Sequence, residues 1–295
     1  MTDPAIADSL RVVVFTDLPA VAAAYPPLLS AYGHQVVGVV TSRKRNFGLG
    51  DVVNAAPATA DLIVSDHPRR WAAMLAPLRP DLIISTSFPW RIPQDVLDLP
   101  RLGAINLHPS LLPKYRGTMT PVWTLLNGER TSGVTAHRML ADFDTGPILA
   151  QAAVEVGDDD NLGDYMQSIF AVAPAVFETA LRRVIAGDPG EAQDESQATY
   201  FGQLPDGIRT IDWASPARRI HNQVRALSGF TIESGAVGTI DGVPSRILRT
   251  RLLFDDSTST DREPGTVIAR DDEGLTIQCG DGPIRVLEFV PDVPA

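Results

Sequence analysis

Apolar and polar positions divide the chain into two textures. Up to about residue 156 short, nearly continuous apolar runs recur: 10–16 with the core R-V-V-V-F-T, then 36–41, 62–64, 81–85, 104–108, 132–139 and 148–156. Helix-forming stretches separate or follow them at 19–32, 68–78 and 162–185. Strands apolar on both faces must be covered twice, so their alternation with helices predicts an α/β fold, a doubly wound and largely parallel sheet. After residue 187 the chain turns polar, with Gly187, Pro189 and Gly190 beside Glu191, Asp194 and Glu195, which predicts a linker. Beyond it, one helix is expected over 216–227, with Ser215 as its N-cap and the proline in its first turn. Five short strands follow, at 236–240, 245–252, 266–269, 275–278 and 283–289. They are punctuated by Asp241-Gly242, Pro264-Gly265, Glu273-Gly274 and Asp281-Gly282, the punctuation of a small antiparallel open barrel. The expected organisation is a first domain over 1–187, a linker over 188–203 and an open-barrel-like domain over 204–295.

Composition narrows the setting. Hydrophobic residues at 44% and charged residues at 21% suit a folded chain. The single cysteine, Cys279, excludes an intramolecular disulfide and a cysteine-rich metal site, and no metal is expected. The chain has no 18-residue apolar run, and its start, with Asp3 and Asp8, lacks the basic region of a signal peptide. A cytoplasmic protein without a membrane partner is the expectation. A net charge of −11 opposes nonspecific attraction to nucleic acid. A local patch remains open, because Arg209, Arg218, Arg219, Arg225, Arg246, Arg249 and Arg251 outnumber the nearby acids Asp212, Glu233 and Asp241.

Phosphate-binding motifs are missing. The turn after the first strand reads T-D-L-P-A rather than a glycine-rich fingerprint, and Gly48 and Gly50 stand outside any P-loop framework. The cluster Arg43, Lys44 and Arg45 follows a strand end, where it can hold an anionic acceptor or form a plain solvated loop.

The candidate chemistry lies between residues 106 and 146. In I-N-L-H-P-S-L-L-P-K-Y-R-G, a strand period of two puts Asn106 and His108 on one face and Ile105 and Leu107 on the other. An amide can donate to a developing oxyanion and an imidazole can carry a proton. An asparagine that caps a turn and a histidine satisfied at a sheet edge are the plain alternatives. Downstream, L-A-D-F-D-T-G lets the chain reverse at Thr145-Gly146 and aim a carboxylate back. Periodicity does not choose between Asp142 and Asp144.

The combination of N-L-H-P-S-L-L-P-K-Y-R-G, the strand at 132–139 and D-F-D-T-G resembles the folate-dependent formyltransferase family over residues 10–185. Ala198-Thr199-Tyr200, I-D-W at 211–213, the helix through Arg225 and P-G-T-V at 264–267 resemble the C-terminal domain of its two-domain, methionyl-tRNA formyltransferase-like branch. The resemblance implies that Asn106, His108 and Asp144 form the catalytic set. It also implies a pterin site built largely from backbone around 85–92 and 140–144, where Phe88, Trp90, Arg91, Ile92, Leu140 and Asp142 are expected to contact the cofactor, with Phe88 and Trp90 flanking its ring. The implied donor is 10-formyltetrahydrofolate, and the implied acceptor is the amine of a small metabolite, held by Arg43, Lys44, Arg45 and Arg116. Initiator tRNA is the alternative acceptor. It is disfavoured by a short loop after the second strand and by an acidic C-terminal region.

Overall fold

The structure, a computed structural model, describes residues 9–43, 49–229, 235–253 and 262–292. Strands β1 (Arg11–Phe15), β2 (Gln35–Thr41), β3 (Asp61–Val64), β4 (Leu82–Ser85) and β5 (Ala104–His108) build the expected parallel sheet. With β7 (Thr131–Arg138) and β8 (Ile148–Glu155), it has seven strands in the order β3-β2-β1-β4-β5-β7-β8. Strand order reverses between β1 and β4, the crevice where open sheets of this kind bind ligands. Among the apolar runs, β4 is buried throughout and all of β1 after Arg11 is buried, whereas β3, at the sheet's edge, leaves Leu62 and Val64 exposed. β7 runs antiparallel to β5.

Helices α1 (Pro19–Ser30) and α6 (Leu162–Ile185) fall where the pattern places them. The expected helix over 68–78 is a mosaic, with α3 (Trp71–Leu75) between two 3-10 turns. Its prolines account for this, since Pro68 and Pro77 each stand in the first turn of a 3-10 segment and cannot donate a backbone hydrogen bond. Three short helices, α2 (Leu49–Ala55), α4 (Gln94–Leu97) and α5 (Thr120–Leu126), and the two-residue strands β6 (Arg116–Gly117) and β9 (Tyr200–Phe201) lay below the resolution of pattern reading.

The chain forms two compact units. One contains Met1–Thr118, Gly133–Ala152 and Val172–Tyr200, and the other Met119–Ser132, Ala153–Ala171 and Phe201–Ala295. In the first, Val13, Phe15, Val40, Trp71, Leu75 and Ile83 form a core under the sheet.

In the second, β10 (Ala236–Ile240), β11 (Val243–Leu252), β12 (Val267–Asp271), β13 (Gly274–Gln278) and β14 (Pro283–Pro291) form an antiparallel sheet in the order β10-β11-β14-β13-β12. Asp241 and Gly242 both take positive φ, the two-residue reversal that an Asp-Gly step favours between twisted strands. Helix α7 (Ala217–Ala226) turns Ala217, Ile220 and Val224 into the core with Trp213, Ile247 and Ile277. Ser215 is not its cap. Pro216 occupies that position, and the Ala217 amide donates instead to Asp281 Oδ1 at 2.7 Å.

Three of the arginines of this unit are engaged within it. Arg225 is buried and donates to the carbonyls of Gly157, Asp160 and Leu125, while Arg218 pairs with Asp158 and Arg246 with Asp292.

Candidate active site

Strand β5 presents its polar residues as the period of two requires. Ile105 and Leu107 are buried on one side, and Asn106 and His108 share the other. In the antiparallel register with β7, Asn106 lies opposite His137 and His108 opposite Thr135. Directly opposed residues of such a pair stand close enough for side-chain contact. Asn106 Nδ2 accordingly lies 3.2 Å from His137 Nε2.

After β7 the chain reverses and re-enters the sheet as β8, closed by Arg138 N–H donating to the Pro147 carbonyl at 2.9 Å. Any Cβ on Gly146 would stand 1.8 Å from the Arg138 carbonyl oxygen, so glycine is what lets the reversal close. Asp144 takes φ +56°, an uncommon left-handed conformation for a residue with a side chain, and its carboxylate turns back over β5. The Gly117 amide donates to Asp144 Oδ2 at 2.8 Å. Asp144 Oδ1 is approached from three sides: Asn106 Nδ2 at 3.3 Å, His137 Nε2 at 3.4 Å and His108 Nδ1 at 3.5 Å.

Backbone carbonyls fix which ring nitrogens carry hydrogen. His108 Nε2 lies 2.7 Å from the Tyr115 carbonyl and His137 Nδ1 lies 2.8 Å from the Arg138 carbonyl, so each of these nitrogens must donate. In the neutral rings the bare nitrogens are then His108 Nδ1 and His137 Nε2, and both face the same carboxylate oxygen. Burial by itself would raise the Asp144 carboxyl. The charge of His108 and the hydrogen bond from His137, both of which act when the ring carries a second proton, together with the Gly117 amide outweigh it and hold the carboxyl well below the usual carboxylate range. Burial pushes the His108 imidazole below its ordinary value, against the pull of Asp144 and of the Tyr115 carbonyl. A proton entering this triangle therefore settles on an imidazole in preference to the carboxylate. The arrangement is a proton acceptor flanked by an amide donor.

The formyl transferase family model matches residues 10–181, and the model of the formyl transferase C-terminal domain matches residues 206–292. The chain belongs to the folate-dependent formyltransferase family. Its relatives include the methionyl-tRNA formyltransferase of Pseudomonas paraeruginosa, 33% identical, with 93% of this chain and 89% of that protein covered. That of Geobacter metallireducens is 31% identical, with 94% and 90% covered. Among solved structures, an N-formyltransferase from Helicobacter canadensis in complex with folinic acid and dTDP-3-aminofucose shares the fold at a TM-score of 0.69, with 18% identity over 96% of this chain and 100% of that one. HypX from Aquifex aeolicus in complex with tetrahydrofolic acid does so at 0.68, with 18% identity over 97% and 45%. The protein is thus a folate-dependent formyltransferase, an enzyme that uses a folate-derived formyl donor.

In this formyltransferase Asn106, His108 and Asp144 share one site, while the other expected contacts divide. The two stretches expected around the pterin meet, because Arg91 donates to the Ala141 carbonyl and pairs with Asp142 at 2.9 Å. Leu140 and Asp142 are exposed at that junction. Phe88, partly buried, packs its ring edge-on to Phe15 at 5.2 Å and against Trp71 at 5.4 Å. Ile92 is a buried core residue, and Trp90 packs partly buried against the same cluster.

The acceptor set fares differently again. Arg43 is held by Asp66, which accepts from both its amide and its guanidinium at 2.8 Å, and Lys44 and Arg45 lie outside the described residues. Arg116 is fully buried, with its guanidinium engaged by Gln193, Glu195 and Tyr200, so it is no surface contact for an acceptor.

Two participants escaped the sequence reading. His137 was inside a predicted strand, and only the antiparallel register reveals that it faces Asn106. Gln193 stood in a stretch read as linker, yet its amide donates to the Asp144 and Gly146 carbonyls, each at 2.7 Å.

Proposed function

We propose that this formyltransferase moves the formyl group of 10-formyltetrahydrofolate onto the primary amine of a small metabolite, such as an amino sugar or amino-acid derivative. The observation that carries the reading is the three-sided approach of Asn106, His108 and His137 to Asp144 Oδ1. The junction of the 85–92 and 140–144 loops fits the donor: it follows β4 at the sheet's crevice and offers exposed loop backbone beside the apolar side chain of Leu140. The donor supplies an electrophilic formyl carbon.

The chain supplies the rest. Amine addition puts negative charge on the formyl oxygen and leaves the amine nitrogen with a proton to lose. Asn106 is the donor for that oxygen. Its contacts to His137 and Asp144, at 3.2 and 3.3 Å, are longer than the usual ~2.9–3.0 Å, so the amide can exchange one of them for a substrate oxygen. Asp144 Oδ1 takes the amine proton, directly or through water, and the bare nitrogen of His108 or His137 holds it until it is returned to the departing folate nitrogen. Asp144 Oδ2, fixed by Gly117, sets the carboxylate plane.

Charge supports the small acceptor. Residues 201–295 hold ten arginines and no lysine against ten aspartates and four glutamates, and several of those arginines are already paired or buried. Binding a polyanion depends on unspent cations. Charged initiator tRNA is the second reading, supported by 33% identity to a methionyl-tRNA formyltransferase across both domains. The deciding experiment incubates the enzyme and formyl donor with either charged initiator tRNA or a panel of amino sugars and amino acids. Transfer to a panel amine at higher kcat/KM supports the proposal, and efficient turnover of tRNA alone rejects it.

A further inference from the structure

The segment after α6 looks like a tether in sequence, but its side chains connect both backbone stretches that shape the site. Gln193 sits at the centre. Its two amide hydrogens go to the carbonyls of Asp144 and Gly146, and its own carbonyl accepts from Arg116 Nε at 3.0 Å and Nη2 at 2.7 Å. Arg116 then grips Glu195 with both terminal nitrogens, at 2.7 and 2.9 Å, and reaches the Tyr200 hydroxyl at 2.6 Å. One residue either side of Arg116 are the two backbone groups the site uses: the Tyr115 carbonyl that fixes His108, and the Gly117 amide that fixes Asp144. Thr199 secures the same turn, accepting from the Tyr115 amide through its hydroxyl and from the Arg116 amide through its carbonyl, both at 2.8 Å.

This network has a physical task. Asp144 and Tyr115 take φ of +56° and +59°, and Gly117 takes +107°. Left-handed backbone at residues with a Cβ is unfavourable, and it persists where surrounding contacts over-determine it. Among the described residues, the side-chain amide nitrogen of Gln193 donates to the Asp144 loop and its side-chain carbonyl accepts from Arg116.

We propose that Gln193 is a positioning residue for formyl transfer, and that it works by coupling the Asp144 loop to the Tyr115–Gly117 turn through Arg116 and Glu195. The inference rests on the reading of Asp144 as the proton acceptor. Misplacement of a reacting group by about 1 Å can cost on the order of 100-fold in rate, so the brace acts on turnover rather than on donor binding.

The test uses the full-length enzyme and four variants, with kcat, KM for the formyl donor and Tm recorded for each. Gln193→Glu keeps the side-chain length and the acceptor for Arg116 but removes both hydrogens offered to the Asp144 loop. It is expected to keep Tm close to the parent and donor KM within about twofold, while kcat falls about 10- to 100-fold. Gln193→Ala is expected to lose at least as much turnover. Gln197→Ala, on the same segment but off the brace, is expected to match the parent. Asp144→Asn separates the two levels of the argument. If it is inactive while Gln193→Glu turns over within about twofold of the parent, the positioning role is refuted and the proton-acceptor role stands. If Asp144→Asn is itself active, both fall. A loss of Tm in Gln193→Glu large enough to account for its lost turnover also refutes positioning and leaves a structural strut.

Discussion

At the residue scale, the site is governed by where one proton can reside. His108 and His137 are each turned by a backbone carbonyl so that their bare nitrogens meet at Asp144 Oδ1, and the carboxyl is held below its usual range. In the proposed role, the enzyme ready to accept a proton carries an ionised Asp144 beside a His108 ring whose Nδ1 is bare. Burial lowers the His108 pKa, so the ring takes a proton only when the pH falls below the ordinary imidazole value of about 6.5. Once it does, the triangle is already filled, and kcat is expected to decline on the acid side through a group titrating below about pH 6.5. A pH–rate profile of the parent beside His108→Gln checks this: the limb should vanish in the variant, and a limb centred above pH 7 in the parent would contradict the assignment.

The polar residues were legible unevenly. Asn106 and His108 could be paired from a period of two. Selecting Asp144 over Asp142 needed the family resemblance, since neither spacing nor charge distinguishes them. His137 was hidden because an opposing residue is defined by register, which no local pattern encodes. Phe88 shows a different limit: an aromatic in a loop looks the same in sequence whatever its ring packs against, and only the structure shows it beside Phe15 and Trp71.

At the element scale, the β7–β8 reversal carries the geometry. Its tolerance is set by the Gly146 approach to the Arg138 carbonyl, a contact of 1.8 Å for any added Cβ. Gly146→Ala forces backbone to move, with an expected cost of about 1–3 kcal/mol on the scale of overpacking, seen as a lowered Tm, together with loss of transfer as Asp144 is displaced. A variant with parent Tm and parent activity would show that the reversal need not close this way. Long, apolar and strongly periodic elements such as β1, β5 and α6 were readable because burial on both faces or on one stripe leaves a continuous record. Short α5 and the ladder of β6 with β9 leave none, being set by contacts remote in sequence. Ser215 met the local rule for a cap, yet Asp281, 64 residues later than Ala217, supplies the acceptor.

At the scale of the whole molecule, three buried imidazoles tie folding to pH. His34, His108 and His221 each have their pKa lowered by burial. The unfolded chain binds these protons near the ordinary value of about 6.5, the folded chain at a lower pH, so the unfolded state holds more protons in the interval between. Stability is therefore full above that interval and declines on acidification through it. Depressed carboxyls such as Asp144 add to the loss at lower pH, since their contribution also disappears on protonation. Tm measured between about pH 8 and pH 5 is expected to fall steadily below about 6.5, and a Tm that rises over that range would reverse the sign of the account. Among the described residues, no helix is long and apolar enough to cross a membrane.

These scales converge on Asp144, which the sheet, the reversal and the segment around Gln193 all serve. The most direct measurement compares the rate of formyl transfer by the parent with that of Asp144→Asn, using the same donor and acceptor and confirming the fold by Tm. Asparagine preserves shape but cannot take the amine proton, so transfer is expected to fall by about 100-fold or more in a variant that still folds, its Tm lowered only by the loss of the carboxylate's contribution. A folded Asp144→Asn enzyme that transfers formyl at close to the parent rate would contradict the account.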